Sequence, residues 1–150
     1  MTTTLQRQHS IFLGSDEGQA YQMLTHTITR KVTSVDTNGY YALAELTDTA
    51  GSGAPLHSHP WAETFYLLEG ELEVQIGNQH QLCTAGSVAH VPANAVHGFK
   101  ILSPVARALM IVAPASAEAF YLEVGDRVSS LVTDMETMQE ICVKYGVQLR

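Results

Sequence analysis

Two histidines one residue apart, His57 and His59, stand in the stretch APLHSHPWAETFYLLEG, and a carboxylate, Glu63, follows four residues later. On an extended chain, residues two apart share a face, so His57 and His59 point together while Leu56 and Ser58 point away. Pro60-Trp61-Ala62 is long enough for a bend that carries Glu63 into the next strand. Imidazole nitrogens and a carboxylate converging at about 2.0–2.2 Å are what a divalent transition metal binds. The best further donor is His97, which follows the turn Pro92-Ala93-Asn94 and would ride on a strand passing back through the fold. Three neutral imidazoles and one carboxylate leave open coordination positions for a bidentate substrate, or for substrate plus dioxygen. Glu63 has two possible roles, as a ligand or as the base that takes a proton from a substrate hydroxyl. Iron, nickel, manganese, cobalt, copper and zinc all accept these donors, so the sequence calls for one divalent transition metal ion without naming it.

Such a site needs a scaffold, and the chain reads as short strands between turn signals. Candidate strands cover 21–29, 40–47, 64–68, 71–76, 79–84, 88–91, 96–102 and 105–112, with turns at Asn38-Gly39, Glu69-Gly70, Gly77-Asn78, Ala85-Gly86 and Pro92-Ala93-Asn94. Many short strands at this spacing predict an all-β antiparallel sandwich or barrel. Alternation from Glu63 puts Phe65 and Leu67 on its face, and Val91 and Phe99 join them as candidate walls of a substrate pocket. The character changes after Pro114. SAEAFYLEVG predicts a helix with Ser116 as N-cap and Gly125 just past its end. TDMETMQEICVKYG predicts a second, with a capping box from Thr133 to Glu136 and a stop at Gly146. Met135, Met138, Ile141, Cys142 and Tyr145 form its packing stripe. The reading is one domain over 1–150, with a barrel over 11–114 and a helical extension over 115–150.

Composition limits the partners. Fifteen Asp and Glu against eight Lys and Arg give a net charge of −7, and Arg30-Lys31 is the only adjacent basic pair. That disfavours nucleic acid and anionic membranes. No apolar run approaches the ~18 residues of a membrane helix, and the polar start MTTTLQRQHS lacks a signal-peptide core. Cys83 and Cys142 read as two reduced thiols, which points to a cytoplasmic protein. The remaining histidines, His9, His26, His80 and His90, read as surface or internally satisfied residues.

The spacing around the histidines resembles a known family. Gly51, five residues, His57-Ser58-His59, three residues, Glu63, six residues and Gly70 follow the first motif of the cupins. Gly86, five residues, Pro92, one residue, Asn94, two residues and His97 resemble the second. Fifteen residues separate the two motifs, as in small microbial cupins, and the likeness covers roughly residues 40–113. Asn94, Ser87 and Ile101 depart from the usual glycine, aspartate and asparagine, and none is a ligand position. The resemblance implies a jelly-roll barrel in which His57, His59, Glu63 and His97 hold one metal, and a homodimer with residues 11–29 near its interface. VPANAVHGFKILSP, APASAEAFYLEVG and a last helix ending KYG are similar to the quercetin 2,3-dioxygenase-like branch. That likeness implies a dioxygenase for a small aromatic or enediol substrate, with Glu63 as base and ligand. Fold does not fix function, however. A non-catalytic metal and small-molecule binding module and an isomerase that uses no oxygen stay open.

Overall fold

The computed structural model describes residues 10–150, so His9 lies outside the described residues. The strands are β1 (Gln19–Met23), β2 (His26–Val32), β3 (Ala42–Thr49), β4 (Gly53–Ser58), β5 (Ala62–Glu69), β6 (Glu71–Ile76), β7 (Gln79–Thr84), β8 (Val88–Val91), β9 (His97–Ile101), β10 (Val105–Ala113) and β11 (Gln148–Leu149). Two helices, α1 (Glu118–Arg127) and α2 (Met135–Tyr145), follow β10. One antiparallel sheet runs β1-β2-β3-β10-β5-β8 and the other β11-β4-β9-β6-β7. This is the all-β jelly roll that the strand pattern and motifs predict.

Alternation builds the core. β3 and β10 bury every second residue, so Ala42, Ala44 and Leu46 face inward with Ala106, Ala108, Met110 and Val112. Leu72, Val74 and Ile101 come from the opposite sheet and meet Phe65 and Leu67 of β5 in one cluster. At 25 cal/mol per Å², burying one such Leu or Val is worth roughly 1.5–3 kcal/mol.

The structure corrects four local expectations. The segment 21–29 is not one strand: Leu24 takes φ 56 and folds it into the β1–β2 hairpin, pairing Met23 with His26. A left-handed leucine is rare, and no glycine or asparagine flags this turn. Ser116 does not cap α1; it lies in a short 3₁₀ turn over Ala115–Ala117, and the helix starts behind it. Gly125 does not end α1 either. A Cβ there would sit 2.6 Å from the Gln22 carbonyl oxygen, so this glycine lets the helix lie close on β1. On α2 the cap residue is Asp134, and Thr133 makes no capping bond, while Gly146 ends the helix at φ 75 as expected.

α1 is locked in place by Glu118, whose two oxygens accept from Arg30 Nε at 3.0 Å and Nη2 at 2.7 Å. Phe120, Tyr121 and Val124 are thereby buried, and α2 adds Met138, Ile141 and Cys142. The helical extension is thus a lid whose inner face joins the barrel interior.

Candidate metal centre

Three strands and one loop deliver the four donors. His57 on β4 pairs directly with His97 on β9. Glu63 on β5 pairs with Val112 of β10 and Val91 of β8. His59 lies just past the end of β4, and its carbonyl accepts from the Asn94 N–H at 2.7 Å. Asn94 holds that position at φ 68, a left-handed conformation asparagine tolerates where the motif usually carries glycine. One turn therefore ties the two motifs together at the site.

The donor atoms of His57, His59, Glu63 and His97 all lie within 4.8 Å of one another. His59, Glu63 and His97 are 2, 3 and 2% exposed, and His57 is half-buried. Each imidazole is fixed by its other nitrogen. Nδ1 of His57 meets the Pro55 carbonyl at 2.8 Å, that of His59 the Trp61 carbonyl at 3.0 Å, and that of His97 the Ala95 carbonyl at 2.9 Å. A carbonyl can only accept, so all three Nδ1 atoms carry the proton. Each Nε2 of a neutral ring then offers a lone pair to the interior.

Glu63 Oε2 lies 3.1 Å from Nε2 of both His59 and His97. Lone pairs facing a carboxylate at that distance need a cation between them. Either a ring takes up an extra proton, or a metal ion satisfies all the acceptors together. Two donors each about 2.1 Å from one ion lie about 3.0 Å apart when at right angles. The residues therefore fit a divalent ion by donor type, tautomer and separation.

The electrostatics agree. Burial pushes the Glu63 carboxyl up, but when the facing rings carry the extra proton on Nε2 their hydrogen bonds and charge outweigh it and hold the carboxyl at about 2. Burial also pushes His57 down. For His97 burial acts the same way, yet Glu63 and the Ala95 carbonyl outweigh it and raise the ring. The carboxylate is charged at any ordinary pH, and protonation of the site is a matter for the imidazoles.

Two residues that the spacing did not point to complete the centre. Tyr121 on α1 donates its hydroxyl to Glu63 Oε1 at 3.0 Å and accepts from Trp61 Nε1 at 3.2 Å. Trp61 stacks on the His59 ring, with centroids 4.2 Å apart and planes 6° from parallel. One oxygen of Glu63 is thus tied to the lid, and the other faces the histidines. Tyr121→Phe strands two buried polar atoms, a carboxylate oxygen and an indole N–H. It should lower the unfolding free energy by about 1–3 kcal/mol, read by urea denaturation at pH 7. A loss under 0.5 kcal/mol, roughly the low end for one hydrogen bond, would mean the contact carries no weight.

The centre opens on a cavity of about 300 Å³. Phe65 and Phe99 line it, together with Met110, Phe120, Met135 and Met138. Leu67 and Val91, the other two candidate walls, are 2 and 0% exposed and belong to the packed core instead of the cavity lining. His90 and His80 are exposed as expected, His90 against Thr64 Oγ1 at 2.8 Å and His80 3.5 Å from Glu73. His26 is not a surface residue; it is 4% exposed and lines the cavity. Cys83 and Cys142 are free and buried. No helix among the described residues is long and apolar enough to cross a membrane.

Comparison with known proteins gives the same picture. The cupin domain family matches residues 45–113. Quercetin 2,3-dioxygenase from Bacillus subtilis (strain 168) is 26% identical over 114 residues, which cover 74% of this chain and 34% of that protein. The chain thus spans about a third of the length of this curated relative. An RmlC-like cupin from Shewanella frigidimarina NCIMB 400 has a TM-score of 0.65 at 18% identity, covering 75% of this chain and 97% of that one. The polyketide cyclase RemF from Streptomyces resistomycificus has a TM-score of 0.61 at 18% identity, covering 70 and 80%. At these identities the two structures show the shared fold alone.

Proposed function

We propose that this chain, a small cupin-domain protein, is a metal-dependent dioxygenase for a small aromatic or enediol substrate of the flavonol type. The observation that carries the reading is three Nδ1-protonated imidazoles and an ionised glutamate converging at the wall of an apolar cavity. His57, His59, His97 and Glu63 would hold one divalent ion there. Such an ion supplies Lewis acidity and, for a redox-active metal, access to dioxygen.

The chain's own residues do the rest. Phe65, Phe99 and Phe120 offer flat apolar surface to an aromatic body and keep water out. Glu63 Oε2 is the one carboxylate oxygen in the centre free of the lid, and it takes the proton from the substrate hydroxyl. Tyr121 keeps Oε1 occupied, so Glu63 presents a single basic oxygen. The likeness to the quercetin dioxygenase supports the substrate class, and two buried free cysteines suit a cytoplasmic setting.

The test is oxygen uptake. Protein loaded anaerobically with iron, nickel, manganese or cobalt is given flavonols, catechols and enediols, then exposed to air. Stoichiometric oxygen consumption with substrate loss supports the proposal. Tight binding without turnover makes the chain a binding module, and product without oxygen use makes it an isomerase.

Assembly belongs to the same proposal. β1 is an edge strand, and Ile11, Phe12 and Leu13 before it are 40, 95 and 45% exposed. An uncovered edge beside exposed apolar side chains favours pairing with a second copy. Light scattering at micromolar concentration should give twice the chain mass, and a monomer mass would remove residues 11–29 as an interface.

A further inference from the structure

The cavity holds a second polar feature, apart from the four donors. His26 opens β2, where its ring is 4% exposed and lines the cavity. Its ring centroid is 5.8 Å from that of Phe99, and Phe99 lies two residues beyond His97 on β9. Two residues on a strand span about 6–7 Å, so His26 stands one layer of side chains away from the donors. The same interior face of the sheet supplies its neighbour. Asp48 on β3 is 5% exposed, and its Oδ2 lies 2.6 Å from His26 Nδ1.

That pair is close. His26 Nδ1 is buried, and Asp48 Oδ2 is its polar neighbour. Asp48 is engaged elsewhere: Oδ2 accepts from Thr25 Oγ1 at 2.8 Å and Oδ1 from the Thr49 N–H at 2.7 Å. The ring also has a backbone hydrogen bond with Gly53 that favours its protonated form. Burial pushes the His26 ring down further than Asp48 raises it, which keeps the imidazole neutral near pH 7. Asp48 closes off Nδ1, so a ligand in the cavity would meet the ring at Nε2.

We propose that His26, held by Asp48, is a second subsite of this cavity, which binds a hydroxyl group on the part of the ligand remote from His57, His59, Glu63 and His97. A hydroxyl fits because it both donates and accepts, and so serves either tautomer of a neutral imidazole. A carboxylate or phosphate does not fit, because the buried Asp48 charge would repel it in an apolar enclosure. Met23, Leu24 and Leu46 line the same cavity, so the group arrives on an apolar skeleton such as an aromatic ring. This inference rests on the cavity being the substrate cavity, and it adds a specificity-determining residue to it.

The test uses 2-naphthol and 2-methylnaphthalene, which match in shape and differ in the hydroxyl, titrated calorimetrically into the zinc-loaded protein. Wild type should prefer the naphthol by about tenfold, the order of one buried hydrogen bond. His26→Phe should bring the two probes within twofold while leaving affinity for 2-methylnaphthalene within threefold, about the scale of changes without a lost hydrogen bond. Should His26→Phe fail to fold, ¹⁵N-histidine spectra of the wild-type protein answer instead. The His26 ring signals should move with 2-naphthol and stay with 2-methylnaphthalene. A naphthol preference that survives His26→Phe, no preference in wild type, or unmoved ring signals would overturn the subsite. Zinc uptake is measured separately: a protein that takes no metal yet shows the His26-dependent preference sinks the oxygenase reading and keeps this one, whereas a metal-binding protein without the preference does the reverse.

Discussion

Glu63→Gln should cut kcat by at least about a hundredfold when measured at saturating metal on a flavonol that the wild type turns over. The amide keeps the shape of the side chain and an oxygen that can still approach an ion. It removes the charge and the basicity. It also reverses one contact, since an amide NH₂ turned toward Tyr121 donates where the carboxylate accepted. A site that only stores metal would lose affinity and little more, and excess metal would restore it. A site that uses Glu63 as base loses a contribution of typically 10²–10⁴ in rate, about 2.7–5.4 kcal/mol. The saturating-metal condition separates the two. Turnover within a few-fold of wild type would leave Glu63 as a ligand at most, and the proton abstraction would have to be assigned elsewhere.

The four donors were legible in the sequence because their spacing resembles the two cupin motifs. The His-x-His spacing suggests a shared face, but it is the motif likeness that joins His97 to donors 34 residues away, where strand periodicity has no reach. The fold class was legible because turn residues and alternating strands recur along the chain. What was not legible depends on contacts between distant segments. Tyr121 reaches Glu63 only because Arg30, 88 residues before Glu118, anchors the start of α1. Trp61 reads as a bend residue until the lid supplies Phe120 and Tyr121 for its other face. Gly125 looks like a helix stop because its reason, the nearby Gln22 carbonyl, lies about a hundred residues away in the chain. The place of His26 in the cavity wall was not legible: a continuous strand over 21–29 hides the reversal at Leu24 that pairs His26 with Met23 and sets it there. Alternation likewise placed Leu67 and Val91 on the inward face correctly, but an inward face is mostly core, and only contacts across the barrel decide which side chains meet the cavity.

His97→Ala should lower metal affinity by more than about a hundredfold, whereas His90→Ala should leave it unchanged. Both are histidines of the second motif region, and both touch a polar neighbour, His90 at Thr64 and His97 at Glu63. Only His97 is buried with its Nε2 aimed at the other donors. Losing a group that merely orients a ligand typically costs 10–100-fold in affinity, so losing a ligand should exceed that range. The pH dependence supplies an internal check. Metal binding must displace any proton from the imidazoles, and the Glu63 carboxylate beside His97 raises that ring above its ordinary range near 6.5. Lowering the pH through the His97 range therefore favours the proton over the metal, and the apparent affinity should fall about tenfold per pH unit for the one ring so displaced. Glu63 contributes nothing to this slope above about pH 3, because its carboxyl is held at about 2. His57 begins to contribute only at lower pH, since burial pushes it down. Zinc titrations at pH 5.5, 6.5 and 7.5 with a competing chelator read both effects. In wild type and His90→Ala the slope should be present, and His97→Ala should bind more weakly at all three pH values. Equal affinities for the two alanine variants would mean that the metal sits on a different set of side chains.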